Sequence, residues 1–275
     1  MSELQPVWLE EGANGLLSGF SELAREPMPE DATSDLLARG WRLYQRKRGH
    51  RTSSDDQLAA WMAVRAVGGA SVERYLDIGC GIGSVLLLTA ATLRPARSLG
   101  VEAQRQSARM AHQSVRELPE APSIRLLHGD LRELTAEQVG SFDLITGSPP
   151  YFPVGTGVPS PDPQREACRF ELRGGVEGYC DAAGRLLTAE GRLCLVFQTV
   201  WTPRVHEAAR SAGLRLVAQV DVRTRSDRME PFLSGYTFAR GEWQPPGAPQ
   251  EMAVRDASGV VTADWNGLRA ELGLV

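Results

Sequence analysis

The chain has 275 residues, 42% of them hydrophobic and 23% charged, with a formal net charge of −4; it can bury a full core as one large domain or two small ones, with the composition of an ordinary water-soluble protein. The net acidity argues against a protein that coats nucleic acid without specificity, and the longest apolar run, Val85 to Leu93, is far too short for a membrane span. No basic signal-peptide start precedes Gly12, and Cys80, Cys168, Cys180 and Cys194 lack C-x-x-C spacing, so a cytoplasmic protein without metal or disulfides is expected.

Residues 1–35 show no sustained period and read as an acidic extension, partly helical around Gly15 to Arg25. Residues 1–38 hold eight acids and a single Arg, whereas Arg39 to Arg51 carries Arg39, Arg42, Arg46, Lys47, Arg48 and Arg51 with no acid. That asymmetry is either a local phosphate footprint or a solvated basic face. Trp41 to Arg46 alternates like a short strand. Ser54 or Asp55 then caps a helix carrying Leu58, Trp61, Met62 and Arg65, which ends at Gly68-Gly69.

Val72 to Ile78 reads as a strand running directly into Asp77-Ile78-Gly79-Cys80-Gly81-Ile82-Gly83, with a helix from Ser84 to Leu93. Strand, glycine turn and helix form a nucleotide-cofactor site, because glycine lets the backbone approach a ligand at a helix N-terminus. The dinucleotide fingerprint wants its third glycine one place later, where this chain has Ser84. That counts against a nicotinamide-dependent oxidoreductase. The strand Ser98 to Glu102 ends in an acid 19 positions after Gly83, suited to ribose hydroxyls with either cofactor. An amphipathic helix from Gln104 to Leu118, closed by Pro119, precedes a strand at Ile124 to His128 that ends in Gly129-Asp130.

Phe142 to Ile145 is the fourth strand, and it runs into Ser148-Pro149-Pro150-Tyr151-Phe152. The prolines stop the strand and leave carbonyls that no local N–H can take, beside an aromatic ring. Such an elbow suits a planar group bearing an amine. Pro153 to Arg173 has no period and reads as a long functional or disordered loop carrying Arg165, Arg169 and Arg173. Helices at Gly174 to Leu187 and Pro203 to Ala212, a buried strand at Gly191 to Gln198, and a closing pair at Leu214 to Val222 and Phe232 to Arg240 follow. Alternating strands and helices imply a mostly parallel α/β sheet. Residues 251–275 read as a hairpin around Asp256 to Gly259 and a last helix.

The glycine run resembles the D-x-G-x-G-x-G pattern of class I S-adenosylmethionine-dependent methyltransferases, and the elbow resembles the (Asn/Asp/Ser)-Pro-Pro-(Tyr/Phe/Trp) motif of those that methylate amino groups. From about Gln45 onwards, through Gly49-His50-Arg51, Asp56, the elbow, Arg169 and Gly191-Arg192-Leu193, the chain resembles the bacterial tRNA adenine-N6 methyltransferases acting on valine tRNA. The resemblance implies a Rossmann-like seven-stranded, mostly parallel sheet over residues 41–245, after an extension at 1–40 and before a tail at 246–275. It implies S-adenosylmethionine bound by Arg51, Asp77, Gly79, Gly81, Gly83, Glu102, Asp130 and Ser148, with Asp130 at the adenine amine. It implies catalysis by Ser148, Pro149, Pro150 and Tyr151, and an RNA substrate held by Arg46, Lys47, Arg48, Phe152, Arg165 and Arg169. The family usually has Asn where this chain has Ser148, and Ser is commoner in cytosine-N4 DNA methyltransferases. Protein glutamine N5 and DNA amines therefore stay open as acceptors.

Overall fold

The computed structural model describes Leu23 and residues 25–118, 123–241 and 246–274. The expected helix around Gly15 to Arg25 lies almost wholly outside those residues, as does Pro119. The described chain opens on a hairpin, β1 (Ala32–Leu36) against β2 (Arg42–Arg46), antiparallel with Ala32 opposite Arg46. The strand expected from Trp41 therefore has a partner drawn from the acidic extension, and a boundary at residue 40 would cut the hairpin at its turn.

Helix α1 (Ser54–Val67) starts on a capping box in which the Ser53 and Asp56 side chains take each other's backbone N–H groups. It stops where Gly68 turns left-handed at φ 56°. The alternation then begins: β3 (Arg74–Ile78), α2 (Ser84–Leu93), β4 (Arg97–Glu102), α3 (Arg105–Arg116), β5 (Ile124–His128), the short α4 (Ala136–Val139) and β6 (Phe142–Gly147). After it come α5 (Pro163–Arg169), α6 (Val176–Leu186), β7 (Leu187–Gln198), α7 (Thr202–Ser211), β8 (Arg215–Arg225), β9 (Leu233–Ala239), β10 (Gln250–Arg255) and α8 (Ala263–Glu271).

The main sheet has eight strands in the order β10-β8-β9-β7-β6-β3-β4-β5. Only β9 runs against its neighbours; β3 to β7 pair in parallel, and so do β8 and β10. Seven strands were expected. The eighth is β10, which lies beside β8 with Gln250 opposite Val220; the expected hairpin around Asp256 to Gly259 forms at its end, with Arg255 opposite Val261. An open edge strand needs a partner or a cover, and β10 supplies one for β8.

Successive strand residues face opposite layers. Tyr75, Leu144, Cys194 and Val196 join one core with α1, α2 and α8, while Leu76, Ile78, Ile145, Leu193 and Phe197 join the other with α6 and α7. The chain leaves β3 towards β4 and β5 on one side, then returns to β6 and β7 on the other. The sheet order thus reverses between β3 and β6, where ligands of open α/β sheets bind, at the carboxyl ends of the strands.

Candidate active site

Ile78 is opposite Gly147 in the β3–β6 register, so the glycine turn and the proline elbow leave adjacent strand ends. A cavity of about 290 Å³ opens there. Its walls include Asp77, Gly79 to Ile82, Glu102, Asp130, Ser148 to Phe152 and Arg169.

The turn's glycines have separate tasks. Gly79, Gly81 and Gly83 all have positive φ (65°, 57° and 91°), which glycine adopts freely. A Cβ on Gly79 would fall 2.1 Å from the Tyr179 hydroxyl of α6, so its missing side chain makes room for that ring; a Cβ on Gly81 would meet open space. Gly83 caps α2.

Asp77 is buried, and its Oδ1 accepts a hydrogen bond from the Thr146 hydroxyl at 2.7 Å. Thr146 has then spent its hydrogen, so the Tyr75 hydroxyl, 2.7 Å away, donates to it. Asp77 Oδ2 and the Ser84 hydroxyl are buried with no protein partner. Burial pushes the Asp77 carboxyl up to about 8, against the Thr146 bond that favours its charged form. Asp77 Oδ2 is thus a buried carboxyl oxygen at the cavity wall with no protein partner.

At the tip of β4, Glu102 accepts from the backbone N–H of Gly81 (2.8 Å) and of Gln104 (2.5 Å), tying the acid to the turn; burial raises its carboxyl above the usual range. Asp130 accepts from the Arg132 backbone N–H and from its guanidinium, 2.6–2.9 Å, which holds its carboxyl below the usual range. It is a turn cap and a cavity wall at once.

On the elbow side, the Tyr151 ring meets Phe197 edge-on, centroids 5.3 Å apart. Its hydroxyl donates to Asp55 Oδ2 at 2.6 Å. Phe152 exchanges backbone bonds with the segment that follows it, the lid of residues 153–175: its N–H donates to the Arg169 carbonyl and its carbonyl accepts from the Glu171 N–H, both 2.9 Å. The Arg169 guanidinium lies over the Phe152 and Phe170 rings at 5.3 and 5.8 Å. The expected long loop therefore contains α5 and is tied down at its base. Its far end is tied too, because Arg204 of α7 binds Glu171 at 2.7 Å and Glu177 at 2.6 Å.

Six expected site residues do not line the cavity: Gly83, Arg46, Lys47, Arg48, Arg51 and Arg165. Arg51 reaches Asp35 of β1 at 3.1 Å and the Arg46 carbonyl, and does not line the cavity. Asp35, the acid of β1, draws it outwards. Arg46 binds Asp31 at 2.8 Å and Asp162, the N-cap of α5, at 2.7 Å. It clamps the hairpin to the lid, with its charge already balanced by two acids. Lys47, Arg48 and Arg165 remain exposed outside the cavity. His50, Asp55, Cys168, Arg173 and Tyr179, none of them expected as site residues, also wall the cavity. Only Asp162-Pro163 carried a local signal, an N-cap followed by proline at the first helical position.

A glycine turn after the first parallel strand, an acid at the tip of the second and a cavity at the switch point define a class I S-adenosylmethionine-dependent methyltransferase. Residues 76–154 match the family described as methyltransferase domain. The fold is similar to a solved predicted O-methyltransferase from Agrobacterium tumefaciens, with a TM-score of 0.59 over 80% of this chain and 98% of that one. At 19% identity this similarity speaks for the fold alone. Two curated relatives, from Escherichia fergusonii and from Escherichia coli strain K12, are both named tRNA1(Val) (adenine(37)-N6)-methyltransferase. Each is 30% identical to this chain over 62% of its length, and the matches cover 67% and 68% of the relatives. The chain belongs to the tRNA1(Val) (adenine(37)-N6)-methyltransferase family.

Proposed function

We propose that this chain methylates the exocyclic N6 amine of an adenine in tRNA, with S-adenosylmethionine as donor. One observation carries the reading: the elbow and the glycine turn end neighbouring strands in register and wall a single cavity. The residues present suit the cofactor. Asp77 has a buried oxygen without a partner, Gly81 faces open space, and Glu102 and Asp130 end the next two strands. Asp77, the glycine turn, Glu102 and Asp130 would hold it, and when bound it supplies an electrophilic methyl group.

The chain's own part is positioning. An aryl amine is a weak nucleophile because its lone pair is delocalised into the ring. Ser148 and the Pro149 carbonyl accept the amine's two hydrogens and leave its lone pair facing the donor, while Tyr151 offers its ring to the base. These acceptors gain strength as the nitrogen becomes positive, so they act on the rate more than on ground-state binding. Arg169 on the lid, with Lys47, Arg48 and Arg165 outside the cavity, supplies positive charge for RNA phosphates.

Acceptor class is tested with labelled S-adenosylmethionine and total tRNA, genomic DNA and a protein extract, side by side. Label in tRNA supports the reading; label confined to DNA or protein contradicts it.

A further inference from the structure

Strands β6 and β7 are parallel and end side by side, and β8 ends at the same edge of the sheet because β9 runs against both β7 and β8. The turn Thr199–Trp201 after β7 and the loop 226–232 after β8 therefore stand at the end of the sheet that carries the cavity. The two segments are bonded to each other. The Thr199 N–H donates to the Phe232 carbonyl at 3.2 Å, and the Thr199 and Ser234 hydroxyls lie 2.8 Å apart. Phe197, whose ring meets Tyr151 of the elbow, precedes the turn by two residues. On this connected edge Trp201 and Phe232 are 36% and 37% exposed, and Val200 and Met229 are 76% and 87% exposed. Trp201 caps α7 through its backbone alone, so its indole is not needed to start the helix. Arg228 is exposed on the same loop and makes no salt bridge among the described residues, whereas Arg223 and Arg225 are paired with Glu251 and Asp227.

We propose that Trp201 and Phe232 form a stacking platform for unpaired RNA bases that flank the target adenine. The inference rests on the RNA amino-methyltransferase reading above and adds a second point of contact with the same substrate. An adenine enters an enclosed cavity only after leaving its stack, which uncovers the π faces of its neighbours. Aromatic side chains take up such bases whatever their sequence, and single-stranded loops are where proteins meet them. The edge has the chemistry for that partner: two aromatic rings, a flexible thioether and one unpaired guanidinium for a phosphate. It also adjoins the elbow, where the target base would lie. Arg223, Arg225 and Arg228 are offset by Asp227, Glu230 and Glu251, so the edge is close to neutral. Its contact is stacking, and it differs in kind from the phosphate contacts of Lys47 and Arg48.

The test is equilibrium binding and single-turnover methylation of tRNA by the full chain and the variants W201A, W201F, F232A and M229D. Binding is repeated with a single-stranded RNA of about ten nucleotides and with a blunt RNA duplex. W201A and F232A should each weaken tRNA and single-strand binding about tenfold, the scale of one base–aromatic stack, while W201F loses less than about threefold. Duplex affinity, cofactor affinity and the methylation rate at saturating tRNA should hold. The loss should be equal at low and high salt, unlike that of a phosphate contact. Met229 lies almost wholly outside the core, so M229D sets a negative charge on the edge without disturbing packing. It should weaken tRNA binding about threefold or more, and it decides the matter if a ring variant fails to fold. Parent tRNA affinity in M229D and in every ring variant that folds overturns the inference. A dimer lost in M229D, with tRNA affinity intact, assigns the edge to a second copy of this chain and overturns it too. A parent that methylates no tRNA defeats the functional reading and this inference together, whereas a parent that methylates tRNA alongside variants of unchanged affinity defeats this inference alone.

Discussion

Ser148 and Tyr151, proposed to position the amine, should make separable contributions. Ser148→Ala deletes one preorganised acceptor and should raise the barrier by about 2–4 kcal/mol, read as a fall in kcat with little change in RNA or cofactor affinity. Tyr151→Ala removes the ring as well and should cost about 1–3 kcal/mol, part of it in KM. Glu102 is proposed to hold the cofactor. Glu102→Ala should weaken S-adenosylmethionine binding about ten- to a hundredfold by calorimetry, some of it through the Gly81 bond that orders the turn. Asp77 adds a pH signature. Its carboxyl is held near 8 by burial, and a cationic ligand beside it favours the charged form. Cofactor binding at pH 7 should therefore release a proton, seen as a buffer-dependent heat, and affinity should rise between pH 6 and 8. Asp77→Asn should abolish both effects.

Among the elements, the lid formed by residues 153–175 and the hairpin β1–β2 work as a pair. Arg46 bridges Asp31 and Asp162, and the buried Gln164 of α5 accepts from the His50 backbone at 3.3 Å and donates to Ser107 of α3 at 3.1 Å. Arg46→Ala leaves two partly buried carboxylates without their cation and should cost about 1–3 kcal/mol of lid docking. Limited proteolysis should then cut within residues 153–162 before the rest of the chain. Lys47 and Arg48 are the exposed part of the same basic run. Reversing both to Glu should lower the slope of log RNA affinity against log salt by about 2 and leave cofactor affinity unchanged. An unaltered slope would return them to a solvated face.

The sequence made this division only partly legible. A contrast in charge located the basic run, but residue counts cannot tell an arginine paired across the fold from one facing solvent. Strand β1, Ala32-Thr33-Ser34-Asp35-Leu36, has little apolar content to announce it and exists because β2 pairs with it. Helix α5 was obscured by prolines and glycines on its N-terminal side, although Asp162-Pro163 began it. By contrast, α2 and β6 are legible because α2 is apolar all round and β6 is a largely buried apolar run.

At the scale of the whole molecule, the switch point between β3 and β6 explains why residues 77, 102, 130 and 148 converge although 71 positions separate the first from the last. The order of strand ends foretold that convergence. Asp55 was not foretold, because nothing local distinguishes a cavity acid from an ordinary first-turn helix acid. The site also has a cost in stability that pH exposes. Burial holds Asp77 near 8 and Asp56 near 7, above the 3.8 of an exposed Asp. The folded chain therefore keeps protons that the unfolded chain gives up. This contribution to stability is full below about pH 4 and is lost as pH rises through 7 to 8. Thermal unfolding without cofactor should show Tm falling from pH 6 to 8.5, and Asp77→Asn should flatten the fall.

We propose that the elbow presents a nucleobase amine to the methyl donor. It is tested most directly by mass spectrometry of nucleosides from tRNA incubated with S-adenosylmethionine and either the parent chain or Ser148→Ala. N6-methyladenosine is expected from the parent, and at a rate at least about thirtyfold lower from the variant, the lower end of the 2–4 kcal/mol range. Equal yields from both at early times, or a methylated base other than N6-methyladenosine, would contradict it.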